Sequence, residues 1–187
     1  AIKEAAGSMF AARLGVGRGA LQLGYNRLLL RDDGRARALF DNLERAEDIS
    51  PAAMNAGIPW SWETYPEYLD AVDRLPKGIN YAGYVGHSAL RTYVMGERAF
   101  TDTAGPADLE RMCVLVKEAM AAGAIGFSTS RTFNHLTSDD KPVASRLADW
   151  SEVRAIVNAV GETGKGVFEL AGEAPGRDPE RTREYLG

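Results

Sequence analysis

Cysteine is nearly absent: Cys113 stands alone among 187 residues, so no intrachain disulfide can form and no disulfide framework holds the fold. No apolar run approaches the roughly 20 residues that a membrane-spanning helix needs. An excess of positive charge is missing too. The formal net charge of -4 argues against a nucleic acid or an anionic membrane as partner, because both require a basic face. The stretch from Ala1 to Phe10 carries Lys3 and Glu4 and no apolar centre, so it does not read as a signal peptide. The expectation is a soluble, cytoplasmic protein. What is present, 45% hydrophobic and 26% charged residues, is an ordinary globular balance with enough apolar side chain for one core.

The chain changes character near Asp48. Before it, Arg13 to Arg37 is rich in glycine, arginine and leucine without a clean period. Beyond it, Pro51 and the segment Gly57-Ile58-Pro59-Trp60-Ser61-Trp62 mark a loop. Tyr65, Leu69 and Val72 then recur at helical spacing, and Pro76 and Gly78 close that helix. The run Ile79 to Gly86 predicts a buried strand. Pro106 occupies the first position of a second helix whose apolar face is Leu109, Met112, Val116 and Met120, ended by Gly123. Ala124 to Thr129 predicts the next strand, and a polar loop runs from Ser130 to Arg146. Asp149 and Glu152 look like a capping box for a helix with the stripe Val153, Ile156, Val157 and Val160, stopped at Gly164. Gly166 to Ala171 reads as a third strand, and Asp178-Pro179-Glu180 as the start of a further helix. Strands alternating with helices imply crossovers and a parallel α/β sheet, either open and doubly wound or part of a barrel. Short, poorly alternating apolar runs suit strands covered on both faces.

Several long motifs then occur in order. Leu43-Glu44-Arg45-Ala46-Glu47-Asp48-Ile49 precedes Gly57-Ile58-Pro59-Trp60-Ser61-Trp62-Glu63-Thr64-Tyr65-Pro66-Glu67-Tyr68-Leu69-Asp70. Val85-Gly86-His87-Ser88-Ala89-Leu90-Arg91, Val94-Met95-Gly96 and Ala122-Gly123-Ala124-Ile125-Gly126-Phe127-Ser128-Thr129-Ser130 follow. From near Asn42 onward this succession resembles the D-aminoacylase and N-acyl-D-amino-acid deacylase branch of the amidohydrolases. The resemblance implies a metal-dependent (β/α)8 barrel that hydrolyses a small-molecule amide, with zinc activating water at the C-terminal mouth of the strands. With about three strands visible, the fold expected is a partial barrel. The family's His-x-His pair does not occur, since the histidines are His87 and His135, and its Gly-Asn-Cys-Gly turn is replaced by Gly24-Tyr25-Asn26-Arg27. Most zinc ligands of the intact enzyme are therefore expected to be absent from this chain, and none is assigned here. Residues 1–41 carry no resemblance, which points to a shifted reading frame or a truncated gene. Better-known members place a metal-binding histidine on the strand that here reads Val167-Phe168-Glu169-Leu170-Ala171, so Ala171 or a neighbour takes its place. A subgroup with Phe-Glu-Leu or Phe-Gln-Leu at that point is the nearer match.

The candidate catalytic residues are Glu169 and His87. Glu169 lies within an apolar strand, where an unpaired carboxylate costs several kcal/mol. It either points into a barrel mouth or pairs with an arginine below. His87, just past Gly86, either faces substrate or a metal-bound water, or bonds loop backbone. Arg91, Arg131 and His135 are candidate substrate-binding residues. Arg91 either clamps a carboxylate or anchors its loop to Glu97, and Arg131 and His135 sit in the loop after the second strand. Ser128, Thr129 and Ser130 read as strand-end hydrogen-bonding groups, since no partner spacing supports a nucleophile triad. Trp60 and Trp62 are expected to pack over the sheet's edge or to line substrate, and Cys113 to be an inert packing residue. Two rival readings remain: a fragment without activity of its own, and a nucleotide-binding α/β domain resting on Gly15-Val16-Gly17-Arg18-Gly19.

Overall fold

The computed structural model describes residues 53, 56–59, 61–137 and 139–172. The glycine-rich stretch at 15–19, the motif at 43–49, Pro51, Trp60, the 1–41 boundary and the helix start at Asp178 lie outside them. The first helix, α1, runs Tyr65–Asp73 and opens with a full capping box. The Thr64 amide donates to Glu67 Oε2 at 2.9 Å, and the Glu67 amide reaches Thr64 Oγ1 at 3.5 Å. At its far end Lys77 Nζ donates to the carbonyls of Val72 (2.9 Å) and Asp73 (2.7 Å), placing a cation on the negative end of the helix. Tyr65 and Tyr68 are buried, and Trp62 packs on Tyr68 with ring centroids 5.3 Å apart. Trp62 is therefore a core residue. Leu69 and Val72, expected in the stripe with Tyr65, are only partly buried.

Strand β1 is short, Tyr84–Gly86. The apolar run before it does not extend the strand: Ile79 is 75% exposed and Tyr81 46%. Helix α2, His87–Met95, starts directly at the strand's end where a loop was expected, and a 3-10 turn over Gly96–Phe100 follows. Helix α3 spans Pro106–Ala122. Asp108 Oδ2 accepts the Gly105 amide at 3.0 Å at its start, and Gly123 ends it at φ +123. Met112, Leu115, Val116, Ala119 and Met120 form its buried face. Strand β2 is Gly126–Ser130, a second 3-10 turn covers Ala144–Leu147, helix α4 is Trp150–Gly161 and strand β3 is Val167–Ala171.

The strands form one parallel sheet in the order β1-β2-β3. The α/β character and the parallel sheet read from the sequence are thus present. Val85 and Phe127 point to the helices and are fully buried, joining α2, α3 and α4 in one hydrophobic core. Burying each such side chain is worth roughly 1.5–3 kcal/mol. The expectation that all strands are covered on both faces fails at β3. There Val167 is 53% exposed and Phe168 40% among the described residues. Close approach explains two glycines. A Cβ on Gly126 would fall 1.9 Å from the Val167 carbonyl oxygen, and one on Gly166, at φ +121, would lie 2.6 Å from Val160 Cγ1.

Candidate functional site

Two residues four apart on α2, His87 and Arg91, share the face that meets β2 and α4, and both are fully buried. From α4 comes Glu152, which is also buried. Its position, four before Ile156, puts it on the apolar stripe rather than on the solvent side. Glu152 Oε1 lies 2.8 Å from His87 Nε2, and Glu152 Oε2 accepts from Arg91 Nη1 at 2.6 Å. The other ring nitrogen, Nδ1, is 2.7 Å from Thr129 Oγ1 at the end of β2. Arg91 also donates to the carbonyls of Ala99 (3.2 Å) and Asp102 (2.5 Å), which ties in the 3-10 turn. A chain of polar contacts thus runs from β2 through α2 to α4, inside an otherwise apolar core.

The partners fix the ring's protonation. Burial, partly opposed by Glu152 and reinforced by the positive charges of Arg91 and Arg131, holds the His87 pKa below its ordinary 6.5. A neutral ring has one N–H. Directing it from Nε2 to the carboxylate, with Thr129 donating to Nδ1, satisfies every group. The reverse tautomer would set a nitrogen lone pair against the carboxylate. The contact between His87 and Glu152 is then a hydrogen bond to a charged acceptor, while Arg91 and Glu152 form the ion pair. Hydroxyl, imidazole and carboxylate stand in the order of a nucleophile triad. Yet His87, Glu152 and Thr129 are all buried, so the Thr129 hydroxyl is not presented to a substrate.

The remaining candidates lie elsewhere. Arg131 spans the mouth of its loop. Its Nη1 donates to the carbonyls of Ala148 (2.6 Å), Arg146 (3.2 Å) and Ser145 (3.4 Å), and its guanidinium sits 5.1 Å from the Trp150 ring centre. Its backbone amide donates to Ala171 O at 2.8 Å, joining the ends of β2 and β3. His135 is partly buried in the same loop; burial, helped by Arg146, lowers its pKa from 6.5. Arg146 Nη1 donates to the carbonyls of Phe133 (3.3 Å) and His135 (3.2 Å). The loop is therefore braced from within by two arginines.

Glu169 is on the other side of the sheet. It aligns with Ser128 and Gly86 across the three strands, while its neighbour Phe168 stacks on Phe127, with centroids 6.1 Å apart, on the helix side. It is exposed, so the desolvation cost expected for a carboxylate inside an apolar strand does not arise. The structure brings His87 and Arg91 together but sets Glu169 on the opposite face from both. Arg91 is anchored to Glu152 rather than to Glu97. Glu152 forms no capping box: Asp149 is the N-cap residue without a side-chain bond, and Glu152 turns inward. Thr129 is the strand-end hydrogen-bonding group that the sequence predicts, whereas Glu152 is the member of the network that sequence reasoning misses. The signal was Glu152's place on the Ile156 stripe. Among the described residues no cluster of His, Cys, Asp or Glu could hold a metal ion, and both nitrogens of His87 are committed. These residues do not fit a metal, and no chemistry is derived through one. No helix among them is long and apolar enough to cross a membrane.

No family model matches the chain. An uncharacterised protein of Mycobacterium bovis is 37% identical over 112 residues, covering 56% of this chain and 18% of the relative. The D-aminoacylase of Alcaligenes xylosoxydans xylosoxydans is 42% identical over 78 residues, covering 41% of this chain and 15% of that enzyme. The chain thus spans less than a fifth of the length of either relative. Among solved structures, a D-aminoacylase described as defining a novel subset of amidohydrolases is similar over 64% of this chain and 23% of its own, at 27% identity and a TM-score of 0.46. Another, from work on the binuclear metal centre of D-aminoacylase, matches at 28% identity and the same TM-score of 0.46. Over part of its length, this chain is homologous to D-aminoacylase.

Proposed function

We propose that this chain forms three strand-and-helix units in the wall of a barrel hydrolase that cleaves the amide bond of N-acyl-D-amino acids or related small amides. The observation that carries the reading is the 42% identity to a D-aminoacylase over 78 residues. The parallel order of the strands suits a barrel wall, and polar loops after the strands suit a ligand site at their C-terminal ends. In this reading the exposed face bearing Ser128 and Glu169 looks into the barrel, and Glu169 supplies a carboxylate toward substrate. His87 and Arg91 act from behind, holding the end of β2, while Arg131 and His135 shape the loop beside the substrate. If the whole enzyme holds zinc, residues outside those described here would bind it, and it would supply Lewis-acid chemistry there.

A second reading is a chain with no activity of its own. A chimera decides between them: the aligned segment of the Alcaligenes D-aminoacylase is exchanged for that of this chain, and hydrolysis of N-acetyl-D-amino acids is measured. The reading expects turnover selective for the D-enantiomer in the chimera, its loss in Glu169→Gln, and none from the 187-residue chain alone. A well-folded chimera without turnover would contradict it. The nucleotide-binding alternative rests on residues 15–19, outside the described part, and nothing described supports it.

A further inference from the structure

The strongest feature that the proposed activity leaves unexplained is the buried meeting of one carboxylate, one guanidinium and one imidazole. Glu152 offers one oxygen to each of two donors. Every charged group facing the ring can be named. Glu152 comes from α4, Arg91 from α2 itself and Arg131 from the loop after β2, while β2 contributes only the Thr129 hydroxyl and the Phe127 ring, 5.2 Å from the imidazole. A protonated ring would place two fully buried cations on a single carboxylate, with a third cation nearby. The excess charge would be buried without compensation, which costs several kcal/mol. A neutral ring leaves the pair balanced.

We propose that Arg91 is a positioning residue: by taking the charge of Glu152, it keeps His87 neutral with its proton on Nε2, and so holds the Thr129 hydroxyl donating into Nδ1. The consequence is mechanical. Thr129 is the fourth residue of β2, and the next residues lead into the loop braced by Arg131. One hydrogen-bond direction at Thr129 therefore ties the end of β2 to α2 and α4. The inference concerns the chain's own core and does not depend on which reaction the surrounding protein performs.

It makes a specific demand. If Arg91 loses its charge, Glu152 keeps its own, and the group left to balance it is the imidazole. His87 should then take up a proton from solvent, become a double donor and force the Thr129 hydroxyl to turn round as an acceptor. The test is nitrogen-15 and carbon-13 NMR of the 187-residue chain labelled at histidine, with His135→Gln to assign the two signals. In the unmutated chain the His87 signals should show an unprotonated Nδ1 and a protonated Nε2 at neutral pH. In Arg91→Met they should show the imidazolium at neutral pH, and Arg91→Lys should restore the neutral ring. A merely structural role would not move the protonation state of His87. An imidazolium or an Nδ1–H tautomer in the unmutated chain would overturn the proposal, a result that does not depend on any variant folding. A neutral His87 in a folded Arg91→Met protein would overturn it equally.

Discussion

The two faces of the sheet solve the problem of charge in opposite ways. On the helix side, Glu152, Arg91 and His87 are buried, and each polar atom among them meets a partner between 2.5 and 3.3 Å away. On the far side Glu169 sits on a strand of the same sheet, exposed and, among the described residues, without such a network. A carboxylate in the core is tolerated when it is paired, whereas one at an exposed edge needs no partner. The first arrangement resists change and the second leaves a group free to act. This contrast separates what holds the sheet from what can meet a ligand.

The largest expected effect comes from breaking the buried side. Glu152→Ala strands the Arg91 guanidinium in the core and should cost about 3–5 kcal/mol in a urea unfolding experiment. A loss below about 1 kcal/mol would show that the network holds little. Next is the seam between the two regions. Gly126→Val drives a side chain into the Val167 carbonyl and should destabilise by about 1–3 kcal/mol, with hydrogen exchange accelerating first in β3. Unchanged protection in β3 would mean that the close approach there is easily relaxed.

A smaller effect is expected from pH. The folded pKa of His87 is depressed below 6.5, so the unfolded chain binds the proton more readily. The stabilisation is then fully present above 6.5 and is lost as pH falls below it toward the folded value. His135, shifted in the same direction, contributes in the same window. Glu67 and Asp139, with pKa values lowered from 4.5 and 3.8, act only at more acid pH. Unfolding free energies measured in steps below pH 6.5 should therefore decline in the unmutated chain and decline less in His135→Gln, which leaves the His87 share. A flat profile above pH 5 would contradict both assignments. The smallest effect belongs to the exposed side: Glu169→Gln should leave stability within about 0.5 kcal/mol. A larger loss in the same urea assay would give Glu169 a structural part.

What the sequence revealed follows from how local the signals were. The helix at Pro106–Ala122 was legible because Pro106, the stripe of Met112, Val116 and Met120, and Gly123 all lie within it. The same holds for the strand at Gly126–Ser130 and for the helix at Trp150–Gly161, which stops three residues before the expected Gly164. The run from Ile79 misled because apolar residues can lie exposed next to a short strand, and nothing local distinguishes Ile79 from Val85. His87 looked like a loop residue because Gly86 ends a strand, yet the chain turns directly into a helix there. Glu152 looked like a capping residue by its distance from Asp149, while its actual partners lie 61 and 65 positions away along the chain. Such a pairing has no local signature. The four-residue spacing of His87 and Arg91 showed one shared face but not what that face would meet.

The account stands on the claim that the exposed face of the sheet, and not the buried cluster, addresses the substrate. The most direct measurement is kcat/KM for an N-acetyl-D-amino acid in the D-aminoacylase chimera carrying Glu169→Gln, at a temperature where its unfolding curve matches that of the parent chimera. A fall of about 100-fold or more, the usual scale for loss of an acid–base group, is the expected result. An unchanged kcat/KM in that variant would contradict the account.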